Sequence, residues 1–211
     1  MKIGLEGGFI FDVTYLAGAG KIEEHQLESC RDLFLKAEEK MTMIRKEGVY
    51  EGHFSKDGTP EPVLFPGLLQ PNPEKMARLK EITEEAKRQY DTVISFGIGG
   101  SYLGNKMLFD LFCGPYWNQM SKEERGGCPK LYFNGDNLDP EHTSGLIEQI
   151  KREAGSGKSH GKNYRLLLIV ISKSGGTVDT MATFFVMKEA LEAEGIMLDV
   201  WVITDPAEGD K

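Results

Sequence analysis

Apolar positions change their spacing near residue 91. Before it they recur every three or four residues, and after it they fall into short continuous runs separated by helical stretches. From Glu23 to Glu47 the residues Leu27, Cys30, Leu33, Phe34, Ala37, Met41 and Ile44 mark one face of an amphipathic helix, which Gly48 ends. Val49–Gln70 is rich in Gly and Pro, predicting irregular chain with a short hairpin around Lys56-Asp57-Gly58. Asn72-Pro73-Glu74 then supplies an N-cap, a proline at the first helical position and an acid in the first turn. The helix it opens is expected to turn Met76, Leu79, Ile82, Ala86 and Tyr90 inward.

Beyond Asp91 the pattern alternates. Strands are expected at Thr92–Phe96, Lys130–Asn134, Arg165–Ser172 and Leu198–Thr204, with helices near Ser101–Phe112, Pro140–Glu153 and Thr177–Glu194. The runs LLLIVI and DVWVI are continuously apolar, as parallel strands covered on both faces require. Strand–helix repetition implies right-handed crossovers and an α/β fold: a doubly wound parallel sheet in an αβα sandwich. Two polar, glycine-containing insertions, Cys113–Pro129 and Gly155–Asn163, read as surface loops. The chain thus divides into a helical and irregular segment, residues 1–71, and an α/β domain, residues 72–211.

Composition narrows the function. At 211 residues, with 40% hydrophobic and 27% charged positions, the chain has the balance of a globular protein with a real core. No stretch approaches the ~20 apolar residues of a membrane span, and the opening residues lack the apolar run of a signal peptide. Three cysteines, Cys30, Cys113 and Cys128, suggest neither a disulfide framework nor a zinc knuckle, and read as buried or idle thiols in a reducing cytoplasm. The four histidines are scattered without metal spacing. A net charge of −8 argues against a nucleic-acid partner. A small anion needs only a few local donors.

Ligands of a doubly wound sheet bind outside the carboxyl ends of its strands, where this sequence places GIGGSYLG, NGDN and SKSGGT. The first is a poor dinucleotide fingerprint, because Tyr102 takes the third glycine position and the expected acid is missing. It is a poor P-loop too, since Asn105 stands at the lysine position. What remains is a nest made by Gly99, Gly100 and Ser101, suited to an anion or a polyhydroxyl group, although a tight turn explains it equally. NGDN reads as ordinary turn residues. SKSGGT says more. Ser172, Ser174 and Thr177 offer hydroxyls, Lys173 a cation, and Gly175-Gly176 backbone donors at a helix start. An N-cap accounts for one serine but not for the whole set, so phosphate binding is the expected role. That donor set needs no metal, and no cofactor is expected.

GIGGSYLG followed by SKSGGT, with LYFNGDN between them and VITDP after them, resembles the first sugar isomerase (SIS) domain of the glucose-6-phosphate isomerase family in its bacterial form. The resemblance runs from about Leu68 to Pro206. It implies a flavodoxin-like αβα sandwich that holds the phosphate of a hexose 6-phosphate on Ser172, Lys173, Ser174 and Thr177, with Gly99, Gly100 and Ser101 along the sugar. It also implies a supporting catalytic role for Asp179, where the family usually has a glutamate, and Gly176 stands where the family usually has a threonine. A second SIS domain, a Gly-Gly-Arg turn and the glutamate base follow in the family beyond the point matched by Lys211. The resemblance therefore implies the amino-terminal, phosphosugar-binding part of a cytoplasmic isomerase that is a homodimer at full length. A sugar-phosphate sensor and another phosphosugar isomerase are the alternatives.

Overall fold

The computed structural model describes residues 2–4, 8, 10–12, 14–15, 20–54, 58–63, 72–159 and 163–204. The expected hairpin tip at Lys56-Asp57, the stretch from 64 to 71 and the closing Asp205-Pro206 lie outside these residues. Two compact units are present, Met1–Pro73 and Glu74–Lys211.

The first unit contains two antiparallel pairs, β1 (Lys2–Gly4) with β2 (Ile10–Asp12), and β3 (Val49–Phe54) with β4 (Pro60–Pro62). Between the pairs come helices α1 (Glu24–Ser29) and α2 (Arg31–Glu47). Glu23 and Gln26 form a capping box at the start of α1, and Gly48, at φ 72°, ends α2 in the left-handed conformation. The periodic apolar stripe of α2 is present but mostly open. Leu33, Phe34 and Met41 are exposed, and of the stripe only Ile44 is buried.

The second unit is the α/β sandwich. Helix α3 (Pro73–Gln89) leads into β5 (Thr92–Phe96); then come α4 (Leu103–Phe112), β6 (Lys130–Asn134), α5 (Pro140–Ser159), β7 (Arg165–Ile171), α6 (Val178–Ala193) and β8 (Met197–Ile203). All strand pairs are parallel, and the order is β6-β5-β7-β8. Side chains alternate between the two faces. Ile94, Phe96, Leu166, Leu168 and Val170 pack under Leu146 and Ile150 of α5 and Phe184, Met187 and Leu191 of α6. Val93 and Leu167 point the other way, to Tyr90 and Ala86. On that same face Tyr102 and Phe109 meet the ring of Phe133 at 5.8 and 5.5 Å.

Three expectations need correction. Met76 and Leu79 are exposed rather than inward, because only Ala86 near the end of α3 and Tyr90 just after it pack against the sheet. Helix α5 continues through Gly155 to Ser159 instead of stopping at Glu153, so that part of the second insertion is helix; residues 160–162 lie outside the described chain. The first insertion, Cys113–Pro129, is no free surface loop. It carries a 3-10 turn at Trp117–Gln119 and a buried Arg125, whose guanidinium donates to the carbonyls of Met120 and Cys128. Its Asn118 side chain bonds both backbone groups of Leu131, at 2.7 and 2.9 Å, and closes the outer edge of β6 as a neighbouring strand would.

The amino ends of the strands share one carboxylate. Glu153 of α5 accepts from Thr92 (3.1 Å), Lys130 (2.7 Å), Tyr132 (2.8 Å), Gln149 (3.0 Å) and Tyr164 (3.2 Å). Burial alone would raise its pKa, but the bonds from Lys130, Gln149 and Tyr132 outweigh that and hold it below the usual glutamate value. The phenols of Tyr132 and Tyr164 are pushed up, first by burial and then by Glu153. A carboxylate whose pKa is lower in the folded state stabilises the fold above its unfolded pKa, and the gain fades as pH falls through the folded value. Glu153→Gln should therefore lower stability at neutral pH by roughly 3 kcal/mol, leaving Lys130 without its charge partner. Its denaturation midpoint should also lose acid sensitivity relative to the parent in urea titrations run from neutral pH down past the ordinary glutamate pKa. Equal acid sensitivity in the two proteins would remove Glu153 from this role.

Candidate functional site

Strand order decides where the loops meet. The chain moves from β5 to one side to make β6, then returns past β5 to make β7 and β8. Such a reversal leaves a crevice between the first strand and the returning one, where ligands of doubly wound sheets lodge. In register, Phe96 pairs with Asn134 on one side and Val170 on the other. Gly97, Gly135 and Ile171 therefore follow at one level. GIGGS and SKSGGT flank the reversal, and NGDN lies beside GIGGS.

The first loop makes a 3-10 turn at Gly99–Ser101 before α4 begins at Leu103, so the regular helix starts two residues later than its apolar pattern suggests. Gly99 has φ +56°, the left-handed region that glycine tolerates, and a Cβ added there or at Gly100 would meet open space. Gly97 is different. A Cβ there would lie 2.6 Å from the Ser101 carbonyl oxygen, because the turn folds back on its own start. Sequence reasoning singled out Gly99, Gly100 and Ser101; the steric requirement falls on Gly97.

In the SKSGGT loop the cap explanation can be checked directly. Thr177 occupies the N-cap of α6, yet its hydroxyl makes no capping bond. It pairs instead with the Ser172 hydroxyl at 3.1 Å, and that oxygen also accepts from Gly175 N–H at 3.1 Å. Ser172 is buried, with its N–H bonded to Ile203 across β8, so its hydroxyl shapes the loop from inside. Lys173, Ser174, Gly175 and Gly176 are exposed, and Gly176 N–H donates to the Ser174 hydroxyl at 3.3 Å. The exposed Lys173 and Ser174 thus stand in the loop that leads into the positive end of a sixteen-residue helix. Asp179 sits half-buried in the first turn of that helix.

NGDN matters more than its turn residues suggest. Fully buried Thr180 of α6 donates to the Gly135 carbonyl at 3.0 Å, and Asn134 reaches Thr143 and the Met187 sulfur. A Cβ on Gly135, whose φ is +81°, would meet the Thr180 Cα at 3.3 Å and the Gly97 nitrogen at 3.4 Å. This loop therefore locks the first turn of α6 onto the strand ends. The sequence held no signal for it, because helix α5 and strand β7 separate Thr180 from Gly135. His142 stands at the rim of a groove of about 410 Å³ beside β6, with Lys106, Phe109 and Asn118. Among the described residues no three His, Cys, Asp or Glu side chains gather as metal ligands, and no helix is long and apolar enough to cross a membrane.

Curated relatives align with most of this chain. Glucose-6-phosphate isomerase of Fusobacterium nucleatum is 33% identical over 139 residues, 64% of this chain and 28% of its own length. The chain resembles glucose-6-phosphate isomerase. The enzyme of that name from Acetivibrio thermocellus is 32% identical over 140 residues, and that of Bacillus thuringiensis 30% over 145. The matched stretch spans under a third of these relatives, 28–30% of their lengths. No family model matches the chain.

The two glycines give a direct check on the turn. Gly97→Ala should cost about 1–3 kcal/mol in denaturant melts, because a backbone oxygen must move to admit the methyl group. Gly100→Ala, facing open space at an ordinary φ, should stay within about 0.5 kcal/mol of the parent. Equal costs would contradict the turn geometry.

Proposed function

We propose that this chain is the phosphosugar-binding part of an aldose–ketose isomerase that interconverts glucose 6-phosphate and fructose 6-phosphate. In this reading residues 72–211 are a SIS domain. The carrying observation is the placement of two glycine- and hydroxyl-bearing loops on adjacent strands at the reversal of strand order, in a chain similar to glucose-6-phosphate isomerases. Lys173, Ser174 and Thr177, with Ser172 behind them and the first amides of α6, take the phosphate. Gly99, Gly100 and Ser101 lie along the sugar. The resemblance also carries a cytoplasmic location and, for the whole enzyme, a homodimer.

The division of labour follows from chemistry. A phosphate loop holds substrate and transition state about equally, so it lowers the Michaelis constant without speeding proton transfer. Moving a proton between the two carbons of an aldose and a ketose needs a base, and opening the ring needs an acid. Asp179 is the one residue of this site assigned to that chemistry, in a supporting role near the base.

Two outcomes follow. The Lys173→Ala, Thr177→Ala double variant should bind glucose 6-phosphate on the order of 100-fold more weakly in calorimetry, since charge-assisted bonds to phosphate are lost. Unchanged affinity would move the phosphate elsewhere. In a coupled isomerase assay the 211-residue chain should turn over at least about 1,000-fold more slowly than an ordinary isomerase, a base being worth ~100- to 10,000-fold. Full turnover would mean that the base lies within these residues.

A further inference from the structure

Thr180 lies fully buried in the first turn of α6. Further along the helix the buried contacts are apolar, through Phe184, Met187 and Leu191. In the first turn the fully buried contact is polar instead. The Thr180 hydroxyl donates to the Gly135 carbonyl at 3.0 Å, and a Cβ on Gly135 would meet the Thr180 Cα at 3.3 Å. Thr183, one turn on, makes no comparable tie to the strand ends. Its hydroxyl donates to the Asp179 carbonyl of its own helix at 2.7 Å and reaches the Asn137 carbonyl only at 3.5 Å.

The residue before Gly135 serves the other loop. The Asn134 carbonyl accepts from Gly97 N–H, at the start of GIGGS, at 3.2 Å. Two consecutive carbonyls at the end of β6 therefore each take a donor from a different loop: Asn134 from GIGGS, Gly135 from α6. The peptide unit between them is planar, so the two cannot move apart freely. The buried Asn134 side chain stiffens the bridge further. Its oxygen accepts from Gly135 N–H at 2.8 Å, and its amide reaches the Met187 sulfur at 3.2 Å. The bonds inside SKSGGT, from Ser172 to Thr177 and to Gly175, do not involve Thr180. Loss of the Thr180 hydroxyl thus leaves the shape of that loop intact and frees the distance from the start of α6 to GIGGS.

We infer that Thr180 is a positioning residue: through Gly135 and Asn134 it sets the spacing between the loop that takes the phosphate and the loop that lies along the sugar. The inference rests on the reading of these loops as a phosphosugar site. Inorganic phosphate engages one loop and is indifferent to the spacing. A hexose 6-phosphate engages both, and a ligand held at two points loses affinity when the points no longer match its length. Thr180 therefore selects a phosphosugar over phosphate without touching either.

The test titrates the 211-residue chain and its variants with glucose 6-phosphate and with inorganic phosphate in a calorimeter. Thr180→Val keeps the side-chain volume and removes the donor. Its affinity for glucose 6-phosphate should fall about tenfold, while that for inorganic phosphate stays within about twofold of the parent. Thr180→Ser, which restores the donor, should recover most of the loss. Thr183→Val, a change at another buried threonine of the same helix, should match the parent with both ligands. With no ligand present, amide exchange at Gly97 should quicken about fivefold in Thr180→Val and stay at the parent rate in Thr183→Val. Thr180→Ala should give the same split between the ligands, and it stands in where the valine variant fails to fold. Equal losses for both ligands, no loss for either, no recovery with serine, or the same split in Thr183→Val would overturn the inference. Those results leave the phosphosugar reading standing as long as Lys173→Ala weakens both ligands. A parent that binds neither ligand sinks that reading, and the inference with it.

Discussion

The carboxylate of Glu153 takes donors from the start of β5, the start and third residue of β6, and the residue preceding β7. One side chain thereby levels the amino ends of three parallel strands. Because the strands are hydrogen-bonded in fixed register, the alignment carries through to their far ends, where Phe96 stands beside both Asn134 and Val170. Two loops from different parts of the sequence can meet at the crevice only if those ends are level. A slip of one residue would also exchange the two faces of β5 and take the fully buried Ile94 and Phe96 away from the cluster they form with α5 and α6. The charge that fixes the bottom of the sheet and the core that forbids slippage thus jointly place the two glycine-bearing loops at its top.

At that top the chain uses small groups to bring backbone close. Gly97 lets the first turn fold over its own start, and Gly135 lets the first turn of α6 approach the strand ends, where Thr180 secures it. Ser172 then braces the second loop from below, leaving the upper part of that loop exposed.

Much of this was legible in the sequence, for a physical reason. A strand buried on both faces must be continuously apolar, so β7 announced itself, and glycine with hydroxyls at a strand end marked both loops; the apolar run of β8 misled about burial, because β8 ends the described sheet and leaves Val202 and Ile203 exposed. What failed was the step from a periodic stripe to a covered one. Leu33, Phe34, Met76 and Leu79 keep helical spacing, but spacing does not say whether anything packs on them. Gly155 misled because a glycine inside a helix costs only about 1 kcal/mol, which neighbouring turns offset. The excursion after α4 looked like loop because Trp117 and Asn118 are held by the backbone carbonyls of Pro129 and Leu131, beyond their own local pattern. Thr180 was hidden for the same reason: its partner, the Gly135 carbonyl, comes beside it only after folding.

The central claim is that a phosphosugar sits across the reversal of strand order, touching both loops at once. Backbone amide shifts followed by NMR during titration with glucose 6-phosphate test it most directly. The account predicts the largest changes at Gly99–Ser101 and at Lys173–Asp179 together, saturating with one affinity and nearly absent with glucose at the same concentration. Changes confined to the groove around Lys106 and His142, or to residues 20–54, with both loops silent, would contradict it.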